Sequence, residues 1–204
     1  MRKDRHQKAK KYKKLGNFLI VVGIIIALSP LWTNIYSYVY QMILQEEPAI
    51  EVPDDFEEDV PREFSTAYLE LPTLNVGVTV ISGTSESDLK KAPGWYTQSA
   101  LPGEGNTAIA AHRITYGGYF RNLDKLNEGD EIYLSFLDKK YIYQVEWVII
   151  TEPNNWSVIA PTETPALTLT TCHPLRGSSH RLIARAVLDR VEPRWVDGEG
   201  PVGG

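Results

Sequence analysis

Between Leu15 and Gln45 the chain carries no Asp, Glu, Lys or Arg. The centre of that run, Phe18 to Leu28, is almost wholly aliphatic. Crossing the hydrocarbon layer of a bilayer takes about 20 mainly apolar residues, and Leu15 to about Tyr36 supplies them. Trp32, Tyr36, Tyr38 and Tyr40 close the run, as aromatic side chains do at a membrane interface. Ahead of it stand Arg2, Lys3, Arg5, Lys8, Lys10, Lys11, Lys13 and Lys14 against one acid, Asp4; behind it come Glu46 and Glu47. The positive-inside rule then predicts a cytoplasmic arm (1–14), a single-pass transmembrane helix (15–40) and an extracellular remainder. A cleaved signal peptide would need a small-x-small site after the apolar core. Leu28-Ser-Pro-Leu-Trp-Thr-Asn34 contains none, so an uncleaved signal anchor is expected. A buried core helix is disfavoured by the length of the uncharged run and by the lysine block at one end only.

The net charge of -5 conceals this asymmetry. Glu46 to Glu63 holds nine acids, three prolines and one arginine. Such a stretch buries too little apolar surface to offset its ordering entropy. Residues 41–63 therefore read as an acidic extracellular linker, and the glycine-rich 193–204 as a disordered tail. No basic stripe occurs outside the N-terminal arm, which argues against nucleic acid as a partner.

Residues 64–192 remain for a folded domain, and its pattern is mainly β. Tyr68–Leu71, Val76–Ile81, Thr107–Ala111, Glu131–Leu137, Tyr141–Ile150, Leu167–Thr171 and Arg181–Leu188 are rich in β-branched and aromatic residues or alternate in polarity. Asp138-Lys-Lys140 joins two of them as a hairpin. Helical turns are expected at Ser87–Lys91 and Tyr119–Leu126. Many short strands broken by Gly and Pro imply a closed barrel or a sandwich.

Cys172 is the single cysteine. It can form no intramolecular disulfide, and outside a cell a lone thiol is exposed to oxidation. It ends the strand Leu167–Thr171, where a side chain is held more firmly than in a loop. A thiolate needs a nearby cation or base to form at neutral pH. Arg181 opens the next strand, and if the two strands pair, the loop His173–His180 returns it beside Cys172. A guanidinium stays charged and presents a rigid fork of donors suited to an oxyanion. An arginine at such a position also fits the plain role of a surface strand residue. His112, His173 and His180 are the candidate acid-base partners. His112 follows the apolar strand Thr107–Ala111; His173, adjacent to Cys172, should point to the opposite face. No spaced ligand pairs suggest a metal site. Leu101-Pro-Gly-Glu-Gly-Asn106 lacks the lysine of a phosphate loop.

Taken together, these segments resemble sortases, the membrane-anchored cysteine transpeptidases of Gram-positive bacteria. Thr168-Leu-Thr-Thr-Cys172 matches the family's TLxTC signature, and His112 and Arg181 stand where its histidine and arginine would be expected. Pro93 to Asn106, Ala111 to Phe120 and Thr170 to Pro174 look most like class E members. The resemblance implies an eight-stranded β-barrel and a two-step acyl transfer. Cys172 would attack the Thr–Gly carbonyl of a C-terminal LAxTG or LPxTG sorting motif on a secreted protein. His112 would serve as general acid or ion-pair partner, and Arg181 would stabilise the oxyanion. It also implies Thr171, Tyr116 and Tyr119 as substrate-binding candidates, no cofactor, and lipid II as amine acceptor. A pilin-linking sortase would accept a pilin amine instead; such enzymes add a C-terminal helix and a lid, neither of which is evident. A hydrolytic cysteine peptidase, with water as acceptor, and a non-catalytic membrane-tethered module compete with these two. Calcium, used by some class A members, has no counterpart here.

Overall fold

In the computed structural model residues 2–46 and 66–194 are described. Most of the acidic segment and of the C-terminal tail lies outside them, and so do the expectations for those regions. Eight strands form one closed barrel: β1 (Ala67–Leu71), β2 (Val76–Ser82), β3 (Gly94–Trp95), β4 (Asn106–Ala110), β5 (Glu131–Phe136), β6 (Lys139–Thr151), β7 (Ala166–His173) and β8 (His180–Pro193). Their order around the wall is β1-β2-β3-β4-β7-β8-β6-β5, and β5 closes against β1. Seven match the strands expected from alternation. The eighth, β3, is two residues long and carries no periodicity to read. It forms because Gly94 has no Cβ: a Cβ there would collide with the carbonyl oxygen of Gly83.

The barrel is filled by one side of each strand. Leu69, Leu71, Val78, Ile109, Ile132, Leu134, Leu167, Leu169 and Ala184 are at most 1% exposed and belong to a single cluster, with Phe120 and Leu123 packed in from the segment after β4. Burying a Leu, Ile or Phe side chain contributes roughly 1.5–3 kcal/mol, which suffices here without disulfides. Two short helical pieces carry loops: α2 (Glu86–Leu89), closed by a Ser85–Asp88 capping box, and a 3-10 turn at Trp156–Ile159. The helical turn expected within Tyr119–Leu126 is a 3-10 turn at Leu123–Lys125.

Ahead of the barrel, α1 runs from Arg2 to Glu46. Residues 41–46 are therefore helical. Among the described residues no single helix is long and apolar enough to cross a membrane. The pair Lys14–Ser29 and Leu31–Leu44, bent by 41°, passes by length and composition together. Pro30 lies at the bend, where its nitrogen has no hydrogen to donate to the helical ladder.

Candidate active site

The three residues singled out for chemistry lie on one face of the barrel wall. Ile109 and Ala111 on the β4 side, Leu167 and Leu169 of β7, and Leu182 and Ala184 of β8 all point into the core. Strand alternation sends their neighbours outward: Ala108, Ala110 and then His112; Thr168, Thr170 and Cys172; Arg181, Ile183 and Arg185. Cys172 pairs directly with Arg181 across the antiparallel β7–β8 ladder. On its other side β4 runs parallel to β7, with Ala108 opposite Thr168 and Ala110 opposite Thr170. The Ala111 amide donates to the Thr170 carbonyl at 3.2 Å, so the pairing continues past the end of β4 and brings His112 level with Cys172. Imidazole, sulfur and guanidinium thus stem from adjacent backbone segments, at a strand spacing of about 4.8 Å.

Lower on the same face the wall is covered. The Asn106 amide donates to the carbonyls of Val158 (3.1 Å) and Ala160 (2.9 Å), and the Arg185 guanidinium to that of Val158 at 2.7 Å. Thr168 donates to Asn106 at 2.6 Å. The segment between β6 and β7 is thereby strapped over the start of β4 and β7. Thr168 is fully buried and Thr170 nearly so. Accessibility returns at the strand ends, where His112, Cys172 and Arg181 are all partly exposed.

His112 is half-buried, and its Nε2 is buried with no hydrogen-bond partner. Desolvation is the main force pushing its pKa below the ordinary imidazole value. The Lys90 ammonium adds to this, and Glu86 opposes it. Burial and Lys90 thus favour the uncharged imidazole, the form able to accept a proton. Tyr116 lies against it, with ring centroids 5.1 Å apart. Arg181 donates through Nη1 to the carbonyls of Ser178 and His180, both at 3.1 Å, which leaves the rest of its fork for another acceptor.

The remaining candidates are placed elsewhere. Thr171 faces inward, 3% exposed, and its hydroxyl donates to the Ala111 carbonyl at 2.7 Å. It ties β7 to the residue before His112. Tyr119 packs against the core, and its hydroxyl lies 3.1 Å from Ser37 Oγ on α1. His173 is partly buried, and its Nδ1 accepts from Arg113 Nη1 at 2.9 Å. His180 lies on the solvent rim, 3.8 Å from Glu152.

Arg113 escaped sequence reasoning. It is only 5% exposed. Its guanidinium donates to the Cys172 carbonyl (3.4 Å) and the Arg121 carbonyl (3.3 Å), and it pairs with Asp124 at 3.0 Å. One buried cation thus ties the segment after His112 to the backbone of the cysteine itself. Adjacency to His112 was the only signal in the sequence, and an arginine in a loop ordinarily reads as solvated. Among the described residues no cluster of three or more His, Cys, Asp or Glu could hold a metal ion. A cavity of about 330 Å³, lined in part by Asn75, Gly117 and Arg121, includes none of His112, Cys172 and Arg181.

The sortase domain family model matches residues 69–189. Sortase SrtE2 of Streptomyces coelicolor is 28% identical over 91% of this chain and 84% of its own length. Sortase SrtE1 of the same organism is 28% identical over 89% of this chain, which spans 58% of that relative. The crystal structure of Sortase E1 from Streptomyces coelicolor, with a tripeptide in its active site, superposes with a TM-score of 0.60 at 30% identity, covering 67% of this chain and 94% of that one.

Proposed function

This chain belongs to the sortase family of cysteine transpeptidases and is most like class E, and from that premise we propose that Cys172, His112 and Arg181 carry out acyl transfer on a C-terminal sorting motif. In the first step the His112 imidazole accepts the thiol proton as Cys172 Sγ attacks the Thr–Gly carbonyl of an LAxTG or LPxTG segment. Arg181 turns its fork from the loop carbonyls to the developing oxyanion. Collapse of the tetrahedral centre breaks the C–N bond, and His112 returns the proton to the leaving glycine amine. A thioacyl enzyme remains. In the second step an amine attacks it, His112 takes the amine's proton and gives it to the departing sulfur, and an amide is formed. Tyr116, beside His112, flanks the bound motif. Thr171 and Arg113 hold the two strand ends in register.

The observation that supports this reading is the register: Cys172 lies opposite Arg181 in the β7–β8 ladder, and His112 follows two residues after the Ala110–Thr170 pair that ends the β4–β7 ladder. The N-terminal segment supports a single-pass anchor with the barrel outside the cell. There the substrates would be secreted proteins bearing a sorting signal, and the acceptor a cell-wall amine on lipid II. The test is incubation with LAxTG and LPxTG peptides and a glycine-peptide acceptor. A new amide at the threonine is expected. Hydrolysis alone, or undiminished amide formation by Cys172→Ala, would overturn it.

A further inference from the structure

The second half of α1 touches the barrel with its polar side. Gln41 is 7% exposed; its Nε2 donates to the Thr79 carbonyl at 3.0 Å, and its Oε1 accepts from the Thr79 amide at 2.8 Å. Thr79 is buried in β2, whose outer edge meets β3 only at Ile81 and Ser82. Its backbone donor and acceptor would otherwise be buried and unpaired, a costly state. The Gln41 carboxamide takes the place of the missing strand neighbour. Ser37, fully buried, has its Oγ 3.1 Å from both the Lys91 carbonyl and the Tyr119 hydroxyl, and Asn34 accepts from the Gly117 amide at 3.2 Å. At 100° per residue, 34, 37 and 41 share one side of the helix.

The other side carries Trp32, Ile35, Val39, Met42 and Ile43, each 47–76% exposed. In water an amphipathic helix packs its apolar stripe on the protein and leaves its polar stripe to solvent. Here the arrangement is inverted, which is favourable where the medium beyond the helix is itself apolar. The stripe continues directly from the apolar run Leu15–Leu28 through the 41° bend. A barrel docked on residues 34–41 also keeps those residues out of the hydrocarbon layer, so the span ends near Pro30 instead of at 40. From Leu15 to Ser29 the helix reaches about 22 Å at 1.5 Å per residue. That is short of the usual core of about 30 Å, and bilayer thinning or snorkelling of the flanking lysines accommodates it.

We propose that Leu31–Leu44 is an interfacial helix: its apolar stripe lies in the lipid surface and its polar stripe Asn34–Ser37–Gln41 locks the barrel to it, so that the barrel is clamped to the bilayer and not merely joined to it through residues 47–65. The inference rests on the anchoring reading above. Its consequence for catalysis is positional. Asn34 and Ser37 grip Gly117 and Tyr119, in the same loop as Tyr116 and His112, and so hold the rim of the active site near the lipid.

The full chain carrying Cys172→Ala, with single cysteines at Ile25, Ile35 or Met42 labelled with a fluorophore, tests this in phosphatidylcholine–phosphatidylglycerol vesicles with brominated acyl chains. Quenching at all three positions is the expected result. Quenching at 25 but not at 35 and 42 overturns the interfacial helix and leaves the anchor standing. Quenching at none of them overturns the anchor as well. For the clamp, Gln41→Ala should speed hydrogen exchange at the Thr79 amide by at least about tenfold, and unchanged exchange there would overturn it.

Discussion

Cys172 has two neighbours across the wall, and they are held in opposite ways. On the β4 side the segment Ala111–Arg113 is fixed from beneath: Thr171 bonds to Ala111, and buried Arg113 reaches the Cys172 carbonyl, His173 and Asp124. On the β8 side the Arg181 guanidinium rests on the carbonyls of Ser178, in the exposed 174–179 loop, and of His180 at the start of β8. Under the proposed mechanism the acid-base partner is thus preorganised, and the oxyanion donor turns from its carbonyl partners towards the substrate. One side stores geometry, and the other is free to respond to the bound carbonyl.

The largest effect comes from the cysteine common to both sides: Cys172→Ala should abolish amide formation while leaving the thermal unfolding midpoint nearly unchanged. Arg181→Ala comes next, lowering kcat/KM by roughly 10²–10³, again with little change in stability. Arg181→Lys should restore only a small part, because an ammonium cannot reproduce the fork. Arg113→Met should act in the reverse sense, costing about 1–3 kcal/mol of stability by leaving buried acceptors unpaired, with a smaller loss of kcat that Arg113→Lys partly rescues. Should Arg181→Ala destabilise the fold and Arg113→Met leave it intact, the two sides have been assigned the wrong way round.

The weakest effects concern pH. Because burial disfavours the charged imidazole, His112 stays neutral below its ordinary value, and the acid limb of kcat/KM should fall below about 6.5. Lys90→Ala removes a cation that disfavours His112 protonation and should move that limb upward; Glu86→Gln should move it downward. Both shifts should be small and fade with salt, since the Glu86–Lys90 pair is exposed. The same depressed pKa has a consequence for stability. On acidification through about 6.5 the unfolded chain takes up the proton first, so stability should decline as pH falls through that range.

Much of the barrel was legible because alternation reports a half-buried strand directly. Glu131–Leu137 and Tyr141–Ile150 appear as β5 and β6 within a residue or two. β3 was not legible, since two residues carry no period and its cause is a close backbone approach at Gly94. The inward turn of Thr171 follows from its parity with Leu167 and Leu169, but the signature treats its four named positions, Thr168, Leu169, Thr171 and Cys172, alike. Tyr116 and Tyr119 could not be told apart in sequence; what separates them is Ser37, which lies 82 positions from Tyr119 along the chain. Asn34, Ser37 and Gln41 were hidden for another reason. Their polarity alone names no partner, and only the fold shows what they bind.

Whether Cys172 forms the acyl bond is decided by intact-mass measurement of the enzyme after brief exposure to an LAxTG peptide without an amine acceptor. The expected species is a thioester adduct ending at the threonine, mapped to Cys172, lost on addition of a glycine peptide and missing in Cys172→Ala. Amide product formed with no adduct at Cys172, or an adduct that persists in Cys172→Ala, would be incompatible with that role.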